Sequence, residues 1–304
     1  MGYSSIPGNA FTFPSCTEKV IAMTWILHIS DLHIGYPGTL DRFRRMVRGL
    51  STNPQLEPEK TVVVITGDLV NRISSRKDFK IVKGELKALA LAGYQKILVI
   101  PGNHDYGSGS RGSKQYVSIF KDVFYGKERT YPILDIVEDI AFIGLDSMAE
   151  ELNWYDRQWA EGEIGTSQLE RFRTILQMEE VRQCGRRVIY LHHHPFDWQP
   201  LHQLKDSLQL GEIIESTMGE GTSIDAILYG HHHRGRSSNG HWGVKRCYDA
   251  GTATLKPRQK VQKMLPWFWE VQNATRLFDL DKPTSEDRLI TIKPESVGEP
   301  TRGL

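Results

Sequence analysis

Cysteine is scarce in this sequence: Cys16, Cys184 and Cys247 are its three thiols, and they lie far apart. No pair has CxxC spacing and no disulfide framework suggests itself, so a reducing compartment, the cytoplasm, is the expected setting. Long apolar runs are missing as well. None approaches the roughly 20 residues that span a bilayer, so no membrane association is expected. Residues 1–22 hold Pro7, Gly8 and Pro14 but a single basic residue, Lys19. Without a charged start and a continuous apolar centre they read as a flexible tail, not as a signal peptide. Nor is there an excess of charge of one sign. Lys and Arg number 38 against 37 Asp and Glu, a balance that gives no support to a polyanion-coating protein. Internal repeats and low-complexity tracts are absent too. What remains, with 39% hydrophobic residues in a chain of 304, suits one globular domain over residues 23–304.

Short apolar runs alternate with helical periodicity. Trp25 to Ile29, Thr61 to Thr66, Lys96 to Ile100, Ala141 to Leu145, Val188 to Leu191 and Ala226 to Tyr229 read as buried strands. Between them, Leu40, Phe43, Val47 and Leu50 form one helical stripe, and Phe79, Val82, Leu86 and Leu89 another. Ser167 is placed to cap a helix carrying Leu169, Phe172 and Leu176. Strand-helix-strand order at these lengths means βαβ units and a largely parallel sheet. Near the C-terminus (about 265–295), Trp267 to Val271, Thr275 to Leu280 and Arg288 to Lys293 follow one another without helices, as antiparallel strands do.

The polar residues of interest cluster at strand ends. After the first strand comes Ser30-Asp31-Leu32-His33, and after the second Gly67-Asp68-Leu69-Val70-Asn71-Arg72. The third is followed by Gly102-Asn103-His104-Asp105, and the last two by His192-His193-His194-Pro195 and Gly230-His231-His232-His233. In open α/β sheets, ligands bind beyond the carboxyl ends of the strands, so five such ends would deliver carboxylates, an amide and imidazoles to one place. Taken singly, each piece has a plainer account: Asp-x-His as a polar strand end, Gly-Asp and Gly-Asn as turns. Yet eight of the eleven histidines fall in these segments, each after its own strand. Asp-x-His and His-x-His would put two side chains on one side of an extended segment. Imidazole with carboxylate favours Zn, Fe, Mn or Co over Ca or Mg, and seven such ligands suit two metals about 3.5–4 Å apart.

In their order and spacing, DLH (31–33), GDLVNR (67–72), GNHD (102–105), HHHP (192–195) and GHHH (230–233) resemble the motifs of the calcineurin-like metallophosphoesterase superfamily over about Trp25 to Thr254. The resemblance implies a four-layer αββα sandwich with two central mixed sheets and a dinuclear site at one rim. It implies further that Asp31, His33 and His233 hold one metal, that Asp68 bridges, and that Asn103, His193 and His231 hold the second. His193 is chosen from its neighbours by the family's His-x-Pro pattern. A water or hydroxide between the metals would be the nucleophile, and His104 would protonate the leaving group or stabilise the transition state.

One departure bears on the branch. In phosphoprotein phosphatases the second motif carries a further Asp that partners the catalytic histidine; here Asn71 stands in that place, which favours the phosphodiesterase-type branches. The expected substrate is a small phosphodiester, a cyclic nucleotide or glycerophosphodiester, with nucleic acid the less favoured partner for want of a basic face or an added cap. A phosphomonoester and a non-catalytic scaffold are the remaining alternatives. Arg72, His194 and His232 are candidates for substrate contact. His28, inside the first strand, reads as a packed core histidine.

Overall fold

The computed structural model describes residues 24–53, 56–72, 75–107, 114–126, 128–150, 161–196, 203–254 and 274–291. The expected N-terminal tail and the strand Trp267 to Val271 lie outside them.

Two five-stranded mixed sheets face each other. In the first, β1 (Trp25–Ile29), β2 (Thr61–Thr66) and β3 (Lys96–Ile100) run parallel, β9 (Ala274–Asp279) pairs antiparallel with β1 and β10 (Arg288–Thr291) antiparallel with β9, in the order β10-β9-β1-β2-β3. The second has the order β4-β5-β6-β7-β8. It comprises β4 (Ile133–Val137), β5 (Ile140–Gly144), β6 (Arg186–Tyr190), β7 (Ala226–Tyr229) and β8 (Arg246–Asp249), all parallel except β4.

Strand alternation explains the layering. Ile26, Val62, Val64, Leu98 and Ile100 point into the space between the sheets, where they join the second sheet's residues in one core. Leu27, Ile29, Val63, Ile65 and Val99 point the other way, into a second core with α1 (Thr39–Thr52), α2 (Arg76–Leu91) and α4 (Lys114–Phe124). Strands covered on both faces must be apolar at every position, which is why β2 is buried throughout. On α1 the apolar stripe buries Phe43, Met46, Val47 and Leu50, each contributing roughly 1.5–3 kcal/mol of transfer free energy. The outer face of the second sheet packs on α5 (Thr166–Gln177) and α7 (Ser207–Gly219), whose Leu169, Phe172, Leu210 and Ile214 belong to the first core. The two short helices are α3 (Asn103–Tyr106) and α6 (Glu179–Arg182).

Three details differ from the sequence expectation. Ser167 does not cap α5: the helix starts two residues earlier than that cap would give, after Gly165 at φ 85°. The Asp206 carboxylate takes the N–H groups of Ile164 and Gly165 just upstream, so the turn is fixed from across the fold. Strand β4 is an edge strand turned back from β5 through Glu138 at φ 51°. Strand β8 is buried at all four positions although it reads Arg-Cys-Tyr-Asp. Its Arg246 is bonded to Asp287, so charge enters the interior as a pair. Among the described residues, no helix is long and apolar enough to cross a membrane.

Candidate dinuclear metal centre

All five motif segments meet at the carboxyl ends of β1, β2, β3, β6 and β7. The route differs from the extended geometry inferred from Asp-x-His spacing. Asp31, His33, Asp68, His231 and His233 all have left-handed backbones, with φ of 55°, 44°, 52°, 73° and 58°. A left-handed backbone at a non-glycine residue is unfavourable, a strain of about 1–3 kcal/mol each. It persists because the loops are bonded to one another beyond the strands. Asp31 N donates to Gly67 O at 3.1 Å, His33 N to Asp68 O at 2.9 Å, and Gly230 N to His192 O at 3.0 Å.

Two donor clusters result. In the first, Asp31, His33, Asp68 and His233 offer atoms that all lie within 4.8 Å of one another. His233 Nε2 is 3.0 Å from Asp31 Oδ1 and 3.1 Å from His33 Nε2. Burial opposes charge on both Asp31 and His233, and their ion pair outweighs it. The Asp31 carboxyl is held well below the usual range and His233 is raised. His33 goes the other way, lowered by burial, so its imidazole stays neutral and available as a ligand.

The second cluster contains His192, His193 and His231. His193, the expected ligand, is joined in it by His192. Its Nε2 lies 3.1 Å from Asn103 Oδ1, 3.5 Å from Asp68 Oδ1 and 3.3 Å from His231 Nδ1. Its Nδ1 lies 2.7 Å from the Thr66 carbonyl. A carbonyl can only accept, so Nδ1 carries the proton and Nε2 presents its lone pair. His193 Nδ1 is instead 2.8 Å from Ser147 Oγ. His231 is kept neutral by burial and by the neighbouring His193 and His192.

Asp68 joins the clusters. Its Oδ2 is 3.7 Å from His33 Nε2, while its Oδ1 faces His192 and accepts the His104 N–H at 2.9 Å. His104 Nε2 stands 3.9 Å from Asp68 Oδ2, and its Nδ1 bonds to the backbone carbonyl of Asn71. The Asn71 side chain therefore has no part in orienting this ring; the main chain does it. Oxygens of Asp68 and Asn103 and nitrogens of His192 and His231 converge here, a donor set that suits a cation.

The rest of the candidate set divides. Arg72 is exposed on the loop after β2. His194 is buried, its pKa lowered by that burial, and stacked at 5.0 Å on the half-buried His232. His28 is fully buried, bonded to Thr66 Oγ1 and lowered to about 3 by burial and by Arg276. Sequence reasoning passed over two supporting carboxylates. Asp105 accepts N–H groups from Gly102, Leu69 and Val70 and so clamps the second and third motifs together; burial, then the charge of Asp68, raises its pKa. Asp249 accepts from Arg234 N and Gly251 N behind the last motif. Asp105 stood inside the GNHD motif, and its place at the third position of a helical turn was the available signal.

The profile of the calcineurin-like phosphoesterases matches residues 24–235. The chain belongs to this family. Its members are metal-dependent phosphoester hydrolases with a dinuclear metal centre. Among solved structures, the metallophosphoesterase is similar to TT1561 of Thermus thermophilus, with a TM-score of 0.53, 11% identity, and coverage of 89% of this chain and 100% of the other. It is similar as well to GAP50, described as the anchor in the inner membrane complex of Plasmodium, with a TM-score of 0.51, 9% identity and 90% coverage of each chain. A purple acid phosphatase from yellow lupin matches with a TM-score of 0.47 and 14% identity over 69% of this chain, which spans 38% of that one. At these identities the likeness is one of fold. No curated protein gives a significant match.

Proposed function

We propose that this metallophosphoesterase hydrolyses phosphodiester bonds of a small molecule, such as a cyclic nucleotide or a glycerophosphodiester, at a two-metal centre. The observation that carries the reading is the division of Asp68, whose two carboxylate oxygens face separate donor clusters. Asp31, His33 and His233 would hold one metal, Asn103, His192 and His231 the other, with Asp68 shared. His192 takes the place that the His-x-Pro pattern gives to His193, because the Thr66 carbonyl leaves its Nε2 free to coordinate. Imidazole and carboxylate donors suit Mn, Fe, Zn or Co. Bound there, two such cations supply a water of lowered pKa and positive charge for the phosphoryl oxygens.

The chain's own contribution starts with exclusion of bulk water. Asp31, His33, Asp68 and His192 are at most 2% exposed, so charge on them is little screened. His104 is the group left reachable, its side chain a third exposed. With Nδ1 fixed on Asn71 O, its Nε2 faces the cleft, and in the doubly protonated form it donates that proton to the departing oxygen. Asn71 in place of a second carboxylate supports the diester over the phosphoprotein phosphatase type. The fold alone would not carry a catalytic reading, since function lives in the site grafted on it; the complete donor set does. Cys184 and Cys247, buried and in no disulfide among the described residues, fit a cytoplasmic setting.

The test is hydrolysis of bis(p-nitrophenyl) phosphate against p-nitrophenyl phosphate by Mn²⁺-loaded enzyme, with chelator controls. A chelator-sensitive preference for the diester is expected. Preference for the monoester would make the protein a phosphatase, and no turnover with two metals bound would point to a specialised nuclease or a scaffold.

A further inference from the structure

Three consecutive carbonyls of the first motif are taken by three consecutive residues of a much later segment. Thr252 Oγ1 donates to Asp31 O at 2.7 Å, Ala253 N to Ser30 O at 3.0 Å, and Thr254 Oγ1 to Leu32 O. All six residues are fully buried. A buried carbonyl beyond the end of its strand needs a donor from elsewhere in the fold. The direction of the Thr252 bond is fixed. Asp31 O can only accept, so the hydroxyl proton lies on that side, and the hydroxyl oxygen accepts the Thr254 N–H at 3.4 Å.

The same segment is anchored at its start to the last motif. Ala250 N donates to Tyr229 O at 3.2 Å, and the Asp249 carboxylate takes Arg234 N at 3.1 Å and Gly251 N at 2.7 Å. Gly251, at φ 76°, makes the turn between the two sets of bonds. Beyond them, the buried Arg42 of α1 donates from Nε to Thr254 O. Residues 249–254 therefore tie the loop after β1, which carries Asp31 and His33, to the loop after β7, which carries His233. These three side chains share one donor cluster but come from different sheets. The bond from His231 N to Asp31 Oδ2 at 3.1 Å holds the carboxylate. Thr252 holds the left-handed backbone, φ 55°, that carries it.

We propose that Thr252 is a positioning residue for the metal held by Asp31, His33 and His233, acting through its hydroxyl on the Asp31 carbonyl; this rests on the two-metal reading above. A left-handed backbone at a non-glycine residue persists only while its surroundings over-determine it. Without the hydroxyl, the Asp31 carbonyl is left buried and unserved. Rotation of the strained backbone relieves that, and it carries the Asp31 carboxylate and His33 away from His233. The effect is selective for one metal, because His192 of the second cluster is held from Thr66 instead.

The experiment titrates the chelator-treated full chain with MnCl₂ by calorimetry. His231→Ala leaves the first cluster as the binding site, and His233→Ala leaves the second. In the His231→Ala chain, adding Thr252→Val is expected to weaken Mn²⁺ binding by roughly 10–100-fold, the usual loss when a group supporting a metal ligand is removed. Thr252→Ser, which keeps the hydroxyl, restores it. In the His233→Ala chain, Thr252→Val leaves binding unchanged. Asn103→Ala replaces His231→Ala if that chain does not fold, and Thr254→Val, which removes the donor to Leu32 O, replaces Thr252→Val. Mn²⁺ affinity untouched by Thr252→Val in the first background, or lowered equally in both, gives Thr252 a merely structural role and overturns the proposal. A wild-type chain that binds no Mn²⁺ overturns the two-metal reading itself. Two metals in the wild type, with no response to Thr252→Val, overturn the positioning role alone.

Discussion

The Nδ1 of His192 lies 2.7 Å from the carbonyl of Thr66, the last residue of β2. That single bond sets the tautomer of the ring and aims Nε2 at Asn103 and Asp68. Backbone or carboxylate partners of this kind fix metal-ligating histidines and sustain their affinity. His192→Ala is therefore expected to drop the metal content from two per chain towards one, measured by elemental analysis after dialysis. His193→Gln is expected to keep both metals. The reverse pattern would return the ligand role to His193.

His104 carries the second prediction. With its Nδ1 bonded to the Asn71 carbonyl, the ring is held by main chain, so Asn71→Ala should leave turnover within a few-fold of wild type. His104→Ala should retain both metals and slow turnover by roughly 10²–10⁴-fold, the usual size of general acid catalysis. Full activity in metal-replete His104→Ala would remove its proton-donating role.

Asp68→Ala and His233→Ala are expected to abolish activity and lower metal content together. Asp68 faces both clusters, and its loss strips the donor that they share. His233 is one of four donors in its cluster, so its loss should deplete one metal more than the other. Metal analysis of each purified variant decides this, and an active, fully loaded Asp68→Ala enzyme would contradict the shared-ligand geometry.

A pH-dependent prediction concerns Asp146, which is fully buried and bonded to Tyr106 Oη at 2.9 Å and Met148 N at 2.9 Å. Burial raises its pKa to about 6 from the ordinary 3.8, against those hydrogen bonds and the charge of Lys121. A carboxyl raised on folding contributes stability that is present below about pH 4 and lost as pH rises through 6. The change over that window is roughly 3 kcal/mol at most. Urea unfolding of the wild type and Asp146→Asn at pH 4.5 and 7 should show the variant gaining relative stability at the higher pH. A difference in stability that stays flat across that range would mean the carboxyl ionises normally.

Much of the site was legible in the sequence because its residues follow buried strands directly. Asp31, His33, Asp68, Asn103, His231 and His233 each stand within four residues of a strand end, and parallel strands within each of the two facing sheets bring such ends to the same rim. The amphipathic stripes of α1 and α2 were legible for the same kind of reason: the bury-one-face rule acts on local sequence. Where the interior accepts charge, the pattern fails. β8 reads as polar, and only the pairing of Arg246 with Asp287, 41 residues away, makes it a buried strand.

The sequence by itself determined which residue types gather and in what order, since strand periodicity and turn chemistry are local. Which of three adjacent histidines lies beside Asn103 and Asp68 was decided by tertiary structure. His192, His193 and His194 have the same chemistry, and what separates them is the Thr66 carbonyl for the first, Ser147 for the second and the stacked His232 ring for the third. Those partners come from other strands and loops. The left-handed backbones of Asp31, His33, Asp68, His231 and His233 have the same origin: no local preference favours them, and long-range hydrogen bonds between neighbouring loops hold them in place.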